Sequence, residues 1–181
     1  MSSPILTDEQ RAFLAASRRA TLATISPSGR PRLVPICLVL GGDAADGRPR
    51  LYSPLDEKPK ASGDPHDLGR VRDLLVLPEA TLLVDRWSED WSRLGWLRLD
   101  CRGVILEPEP HERLEHAAAI AALRAKYPQY ADHRLEDRPI LRFTVDRAVG
   151  WGDLRERTAR EADRAPRRHE VASRRRRQRS R

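Results

Sequence analysis

The amino-acid sequence predicts a mainly β domain of the α+β class, in which antiparallel strands form a barrel and helices pack outside it. Three observations support this fold class: about six segments have strand character, turn-forming residues separate them, and only three segments have helical character. At 181 residues the chain has the length of one ordinary domain with an extension. The strand-like segments are residues 21–26, 32–40, 50–53, 80–87, 96–106 and 139–145.

The chain begins with a helix and a hairpin. Thr7 and Gln10 have the spacing of a capping box, in which the two side chains bind free amides at a helix start, so a helix is predicted over 8–17. Residues 27–30 (Pro-Ser-Gly-Arg) supply a turn between the first two strands. The second of these strands is apolar on both faces from Leu33 to Leu40, which is typical of a barrel wall covered by a helix or a partner subunit.

The middle of the chain alternates loops with short elements. A brief helix is predicted over 68–77, after a flexible insert at 61–67. Residues 96–102 alternate apolar with polar at a period of two, and we expect Gly103 to kink that strand before 104–106 continue it.

The longest helix is predicted over 109–127, and Pro128 ends it. The last strand alternates with Leu141, Phe143 and Val145 on one face, and we expect the ordered chain to close near Trp151.

The net charge of +7 is concentrated at the C-terminus. Residues 155–181 hold 12 arginines against 4 acidic residues, whereas the rest of the chain holds 22 basic and 23 acidic residues. We therefore expect a folded domain at 1–154 and a disordered, Arg-rich tail at 155–181. The tail is either a solvated extension or a segment that binds nucleic acid or acidic surfaces through counterion release.

Several classes of protein lack their signatures in this sequence. It has no long apolar run and no signal-peptide pattern at its start, so we expect a cytoplasmic protein without a membrane segment. Cys37 and Cys101 lie in apolar stretches and are expected to be buried thiols. No metal-ligand spacing, Rossmann glycine motif, Walker motif or serine-hydrolase motif occurs, and no residue stands out as a general acid.

Lysine is rare here, with three residues against 31 arginines, and two of the three are Lys58 and Lys60. A compact ammonium suits a phosphate oxygen, so this pair is a candidate phosphate site. The alternative is a solvated basic loop that balances Asp56 and Glu57.

Three tryptophans, Trp87, Trp91 and Trp96, lie within ten residues of each other. Large amphipathic rings at this density form a core edge, a subunit interface or a stacking surface for a planar ligand.

Five segments together resemble a known family. Residues 19–35 are similar to the first hairpin of the pyridoxamine-phosphate-oxidase-like split barrels, the FMN-binding type of split β-barrel. Four later motifs resemble the deazaflavin-dependent branch of that superfamily, and the likeness runs from about Thr7 to Trp151. These motifs are Asp-Glu-Lys-Pro-Lys at 56–60, Leu-Leu-Val-Asp at 82–85, Glu-Asp-Trp-Ser-Arg-Leu at 89–94 and Leu-Arg-Ala-Lys-Tyr-Pro-Gln-Tyr at 123–130.

The resemblance implies a coenzyme F420-dependent oxidoreductase that transfers hydride between the reduced deazaflavin and a small conjugated organic substrate. It further implies that Lys58 and Lys60 hold the cofactor phosphate and that Ser53 lies on the strand leading to them. Backbone at Val34, Pro35 and Ile36 is expected to line the ring system.

The chain departs from the family pattern in three places. Asp73 stands where relatives carry Asn, Leu77 stands where an Asn-Pro pair is expected, and 61–68 is expanded. An acidic side chain close to the phosphate is expected to weaken anion binding.

The partner and cofactor predictions keep their alternatives. We expect a homodimer, because a small split barrel has too little concave surface to enclose a tricyclic ring alone. The first alternative is a protein of the same fold that binds FMN instead of F420. The second is a non-enzymatic module that binds a cofactor or senses redox state. Binding of nucleic acid is considered only for the basic tail.

Overall fold

The structure is a computed structural model of the protein, and it describes residues 4–55 and 63–155. This part of the chain forms three α-helices and seven strands. The helices are α1 (Asp8–Ala16), α2 (Gly69–Val76) and α3 (Arg113–Lys126). The strands are β1 (Ala20–Ile25), β2 (Pro31–Ile36), β3 (Val39–Leu40), β4 (Arg50–Pro54), β5 (Glu79–Arg86), β6 (Gly95–Leu106) and β7 (Ile140–Gly152).

The start of the chain folds as its local sequence predicts. The backbone nitrogen of Gln10 donates to Thr7 Oγ1 at 3.2 Å, and the backbone nitrogen of Thr7 donates to Gln10 Oε1 at 3.0 Å, which completes the capping box of α1. The hairpin turn between β1 and β2 closes through a 2.9 Å bond from the backbone nitrogen of Ser26 to the carbonyl of Arg30. Gly29 has a φ of 78°, a left-handed conformation that favours glycine.

All seven strands join one antiparallel sheet in the order β2-β1-β5-β6-β7-β4-β3. The two edge strands, β2 and β3, are consecutive in the chain and are joined only by Cys37 and Leu38. Three peptide steps span at most about 11 Å, so the two edges must approach each other and the sheet must curl. The fold is therefore an antiparallel split barrel with peripheral helices, which confirms the predicted fold class.

The predicted single strand over 32–40 is wrong, because the chain breaks it at Cys37 and Leu38. Both backbone groups of Leu38 bind the hydroxyl of Tyr127 instead of a neighbouring strand. Within the single chain this stretch is not buried on both faces, and its cover by a partner subunit stays a prediction. In β2, Leu33 is 64 % exposed and Pro35 is exposed as well.

Strands β6 and β7 also differ from expectation. β6 runs without a break through Gly103, and the irregularity of the β6–β7 ladder lies between Asp100 and Cys101. Gly103 is required for close packing instead, since a Cβ there would lie 2.9 Å from Leu74 Cδ2 and 3.0 Å from the Phe143 ring. On β7 the bulge leaves Asp146 as the extra residue, which ends the alternation at Val145 although the strand continues to Gly152.

The buried side chains form two clusters. The larger one fills the barrel and includes Leu22, Leu82, Leu99 and Phe143, with α1 and α2 closing over it through residues such as Leu14 and Leu74. The smaller one lies between α3 and the sheet and includes Tyr52, Ile120, Leu123 and Tyr127. α3 starts at Arg113, four residues later than predicted, after a turn that contains Pro110. None of the described helices is both long and apolar enough to cross a membrane.

Candidate functional site

The three β2 residues expected to line a cofactor ring lie at a sheet edge and face alternate sides. Ile36 is 7 % exposed and packs in the barrel core, and Val34 packs against the same core. Pro35 is exposed on the outer face, opposite Thr21 of β1. Pro35 has no backbone N–H to contribute to a ladder, which fits an edge strand.

Apolar side chains continue from β2 across the outer face of the sheet. Thr21 is paired with Pro35 on one side and with Leu83 on the other. Leu33, Leu83 and Ile25 are 64 %, 38 % and 37 % exposed. We call these four residues, Ile25, Leu33, Pro35 and Leu83, the outer sheet patch. No described helix covers it.

The tryptophan-rich segment is not part of the core. Trp87 and Trp91 are 73 % and 77 % exposed, and both lie in the connection between β5 and β6. Trp96 is paired across β6 and β7 with Trp151, which is 55 % exposed. Of the three predicted roles, an interface or a stacking surface fits these exposed rings.

Ser53 lies inside the barrel. It is 1 % exposed and stands between Leu51 and Leu55, which both belong to the barrel core. Its strand, β4, ends at Pro54, and after Leu55 follow residues 56–62, which hold Lys58 and Lys60 and are called the lysine segment. Lys58 and Lys60 lie outside the described residues.

The chain is held in place on both sides of the lysine segment. Before it, the carbonyl of Leu55 accepts a 2.8 Å hydrogen bond from Arg138 Nε. After it, His66 bridges two carboxylates, with Nδ1 at 2.9 Å from Asp64 and Nε2 at 2.8 Å from Glu107. The bonds to Glu107 and Asp64 raise the pKa of His66. The described residues on both sides of this segment, Leu55 and His66, therefore contact the β6–β7 connection.

Asp73, the departure from the family pattern on α2, is buried and paired. Its Oδ2 atom accepts 2.7 Å hydrogen bonds from Thr24 Oγ1 and from Arg32 Nε. Burial opposes ionisation of Asp73, but the bonds from Arg32 and Thr24 outweigh it and lower the pKa. Arg32 thus compensates the negative charge that was expected to weaken anion binding.

Arg32 is a site residue that the sequence interpretation missed. Its guanidinium packs on the first residue of α2, where a Cβ on Gly69 would lie 2.6 Å from Arg32 Cζ. Its two terminal nitrogens have no hydrogen-bond partner in the described parts of the chain. The signal in the sequence was a charged residue within an otherwise apolar strand. In the structure Arg32 faces inward, because it is paired with the buried Thr24 of β1.

The described residues offer no metal site or reactive thiol pair. No group of three His, Cys, Asp or Glu residues converges among them. Cys101 is buried and Cys37 is half-buried, and both thiols are free. Burial raises the pKa of the Cys101 thiol, which makes it a poor nucleophile. The site can thus bind and orient a ligand, but these residues supply no evident nucleophile.

Comparison with known proteins agrees with this architecture. The sequence model of pyridoxamine 5'-phosphate oxidase matches residues 6–152. The search of curated proteins gave no match.

Solved structures share the fold at low sequence identity. The conserved hypothetical protein Rv2991 from Mycobacterium tuberculosis is 20 % identical with a TM-score of 0.57, over 84 % of this chain and 89 % of that one. Atu2129 from Agrobacterium tumefaciens is 22 % identical with a TM-score of 0.55, over 86 % and 66 %. HutZ, the heme storage protein from Vibrio cholerae, is 16 % identical with a TM-score of 0.57, over 81 % and 94 %.

The match to the family covers most of the chain, and the curled antiparallel sheet with its consecutive edge strands is the fold expected of such a protein. The chain therefore belongs to the pyridoxamine 5'-phosphate oxidase family of split barrels.

Proposed function

We propose that the protein is a cytoplasmic, homodimeric oxidoreductase that uses coenzyme F420 to transfer hydride to or from a small conjugated organic substrate. The observation that carries this proposal is the outer sheet patch, an uncovered apolar surface that includes the β2 edge in a chain of this family. An apolar surface of this kind marks a ligand site or a subunit interface.

The choice of F420 over other cofactors rests on the sequence motifs at 56–60, 82–85, 89–94 and 123–130. Lys58 and Lys60 are the proposed phosphate ligands, and Ser53 belongs to the strand that leads to them. Arg32 is a further candidate, because its free terminal nitrogens lie against the start of α2. Charge-assisted bonds from several donors suit a phosphate group.

The proposed dimer would complete the cofactor site. Backbone at Val34, Pro35 and Ile36 forms one wall for the ring system, and a second copy would cover the outer sheet patch and the exposed tryptophans. F420 supplies the hydride chemistry when bound. The protein's own residues would hold the phosphate, orient the ring against β2 and exclude water from the reacting face.

A matched pair of leucine variants tests the dimer. L33E places a charge in the outer sheet patch, whereas L114E changes a residue that is 89 % exposed on α3, away from the sheet. Light scattering at micromolar concentration should give a dimer for the parent and for L114E, and a monomer for L33E. A stable parent monomer would contradict the homodimer.

Absorbance titrations of the purified protein with F420, FMN and hemin test the cofactor. FMN is included as the alternative cofactor of this fold, and hemin because one structural neighbour is a heme storage protein. Saturable binding of F420 with at least tenfold preference over the other two is expected. Preference for FMN or hemin would overturn the assignment.

Turnover separates an enzyme from a cofactor-binding module. The protein loaded with reduced F420 should oxidise it when conjugated enones or quinones are added, at a rate above that of free F420. Binding of F420 without any acceleration would favour the non-enzymatic alternative.

A further inference from the structure

Two grooves flank helix α3, and they differ in whether their charged side chains form ion pairs. The first groove has a volume of about 450 Å³ and lies between α3 and strands β3 and β4. Its polar side chains are all paired: Asp43 with Arg11 at 2.9 Å, and Tyr52 and Arg50 with Glu115 at 2.6 Å and 3.3 Å. Each charged residue of this groove thus has an ion-pair partner, although the Arg50 Nε atom is buried without a hydrogen-bond partner.

The second groove has a volume of about 670 Å³ and lies between α3 and the loop that precedes β7. This volume is in the range of small-molecule sites. Its α3 wall is a single helical stripe about 16 Å long at 1.5 Å per residue. The stripe consists of Arg113, His116, Ala117, Ile120, Ala121 and Arg124.

At one end of this groove the two charged side chains pair with each other. Arg124 forms an ion pair with Glu136 and donates hydrogen bonds to the carbonyls of Tyr130 at 3.2 Å and His133 at 2.8 Å. These contacts fix the guanidinium, so Arg124 and Glu136 act as a rigid end wall.

Two further charged residues of this groove have no partner among the described residues. Arg113 and Asp137 line the groove, yet neither makes a hydrogen bond or an ion pair with any residue that the structure describes. His116 also lines the groove; it is 4 % exposed, and its Nε2 is 2.8 Å from the carbonyl of Arg138. Because a carbonyl only accepts, Nε2 carries the proton, and Asp137 is held beside His116 through its neighbour Arg138.

The geometry points to a binding site for a free α-amino acid with an apolar side chain in this second groove. Arg113 would bind the carboxylate, Asp137 would bind the ammonium group, and Ala117, Ile120 and Ala121 would contact the side chain. A cation and an anion that line the same groove select a zwitterion, because a simple anion or cation would leave one of the two charges unmatched. This proposal does not depend on the proposed function.

Calorimetric titration of the full-length protein with L-leucine at neutral pH tests this site. Saturable binding in the millimolar range is expected. L-leucinamide lacks the carboxylate and N-acetyl-L-leucine lacks the ammonium group, so each should bind at least tenfold more weakly than L-leucine. Equal binding of the three compounds, or no saturation with L-leucine up to 20 mM, would overturn the proposal.

Variants of the two unpaired residues provide a second test. R113Q and D137N should each weaken L-leucine binding at least tenfold, with melting temperatures unchanged. R19Q and D132N are matched controls, since both residues are exposed and lie outside the groove, and they should change affinity less than twofold. An affinity change equal in the groove variants and the controls would contradict the assignment. F420 binding should stay unchanged in all four variants, which keeps this test separate from that of the cofactor site.

Discussion

The hydroxyl of Tyr127 binds both backbone groups of Leu38, at 3.0 Å from its nitrogen and 2.8 Å from its carbonyl oxygen. Tyr127 is the last residue of the α3 region and Leu38 lies in the two-residue link between the edge strands β2 and β3. The hydroxyl also lies 2.9 Å from the carbonyl of Arg18. One buried phenol therefore accepts from the Leu38 N–H and donates its single proton to one of these two carbonyls at the point where the sheet closes.

Removal of this hydroxyl should destabilise the fold. Y127F leaves the Leu38 N–H without a partner in a buried position, and we expect a loss of about 1–3 kcal/mol in the free energy of unfolding, measured by urea denaturation. Y52F is the matched control, because Glu115 keeps its contacts with Arg50 and Arg142 when the Tyr52 hydroxyl is removed. A loss in Y127F no larger than in Y52F would contradict this role for Tyr127.

The Arg32–Asp73 pair should contribute to stability at neutral pH. R32Q leaves the buried carboxylate with Thr24 alone, and the expected loss is about 1–3 kcal/mol, reduced from the value of a fully buried pair because Arg32 is 42 % exposed. D73N in the R32Q background should recover most of the loss, since it removes the uncompensated charge. Additive losses in the double variant would exclude the proposed coupling.

The same pair predicts a pH dependence. The pKa of Asp73 in the folded state lies below 3.8, so its contribution is fully present above that pH and is lost as the pH falls through the lowered pKa. The difference in stability between the parent and R32Q should therefore be largest at neutral pH and shrink as the pH falls. A difference that grows on acidification would contradict the assignment.

The His66 bridge should stabilise the fold at low pH and lose its effect at high pH, the reverse of the Arg32–Asp73 pair. Its pKa is raised above 6.5 by Glu107 and Asp64, so its contribution is fully present below pH 6.5 and is lost as the pH rises through the raised pKa. The melting temperature of the parent relative to H66Q should be higher at pH 6 than at pH 9. An equal difference at both values would show that the bridge to Glu107 carries no net stability.

Replacement of Lys58 and Lys60 tests the proposed phosphate contacts. Each charge-assisted contact is worth roughly 1.5–3 kcal/mol, so the K58A/K60A variant should bind F420 at least tenfold more weakly. The melting temperature of the protein without cofactor should scarcely change. R19A, which removes an exposed positive charge outside the lysine segment, should bind F420 like the parent. Parental affinity in K58A/K60A would exclude both lysines as phosphate ligands.

The Arg-rich tail should be separable from the domain. Leu154 is 7 % exposed and belongs to the core, and Arg86 donates to the carbonyl of Arg155 at 3.0 Å, so a chain that ends at Arg155 retains these contacts. It should keep the parental melting temperature, dimer and cofactor binding. Retention of the full chain on a heparin column at low salt should be abolished by the truncation. A truncated protein that fails to fold would show that the boundary at 154 is misplaced.

The sequence by itself determined the elements whose cause is local. The capping box of Thr7 and Gln10, the turn at 27–30 and the alternation in 96–102 depend on residues a few positions apart, and each predicted element is present. The family resemblance likewise came from motifs in the sequence. Alternation failed as a guide in β7, because the bulge at Asp146 shifts the pleat by one residue.

Only the tertiary structure decided which distant residues meet. The closure of the sheet depends on Tyr127 reaching Leu38 across 89 positions, and the compensation of Asp73 depends on Arg32, 41 positions away. Whether Arg113 and Asp137 have partners among the described residues also depends on the fold and not on neighbouring sequence. Local patterns report backbone preference and burial, whereas pairing of a buried polar group depends on which side chain the fold brings within about 3 Å.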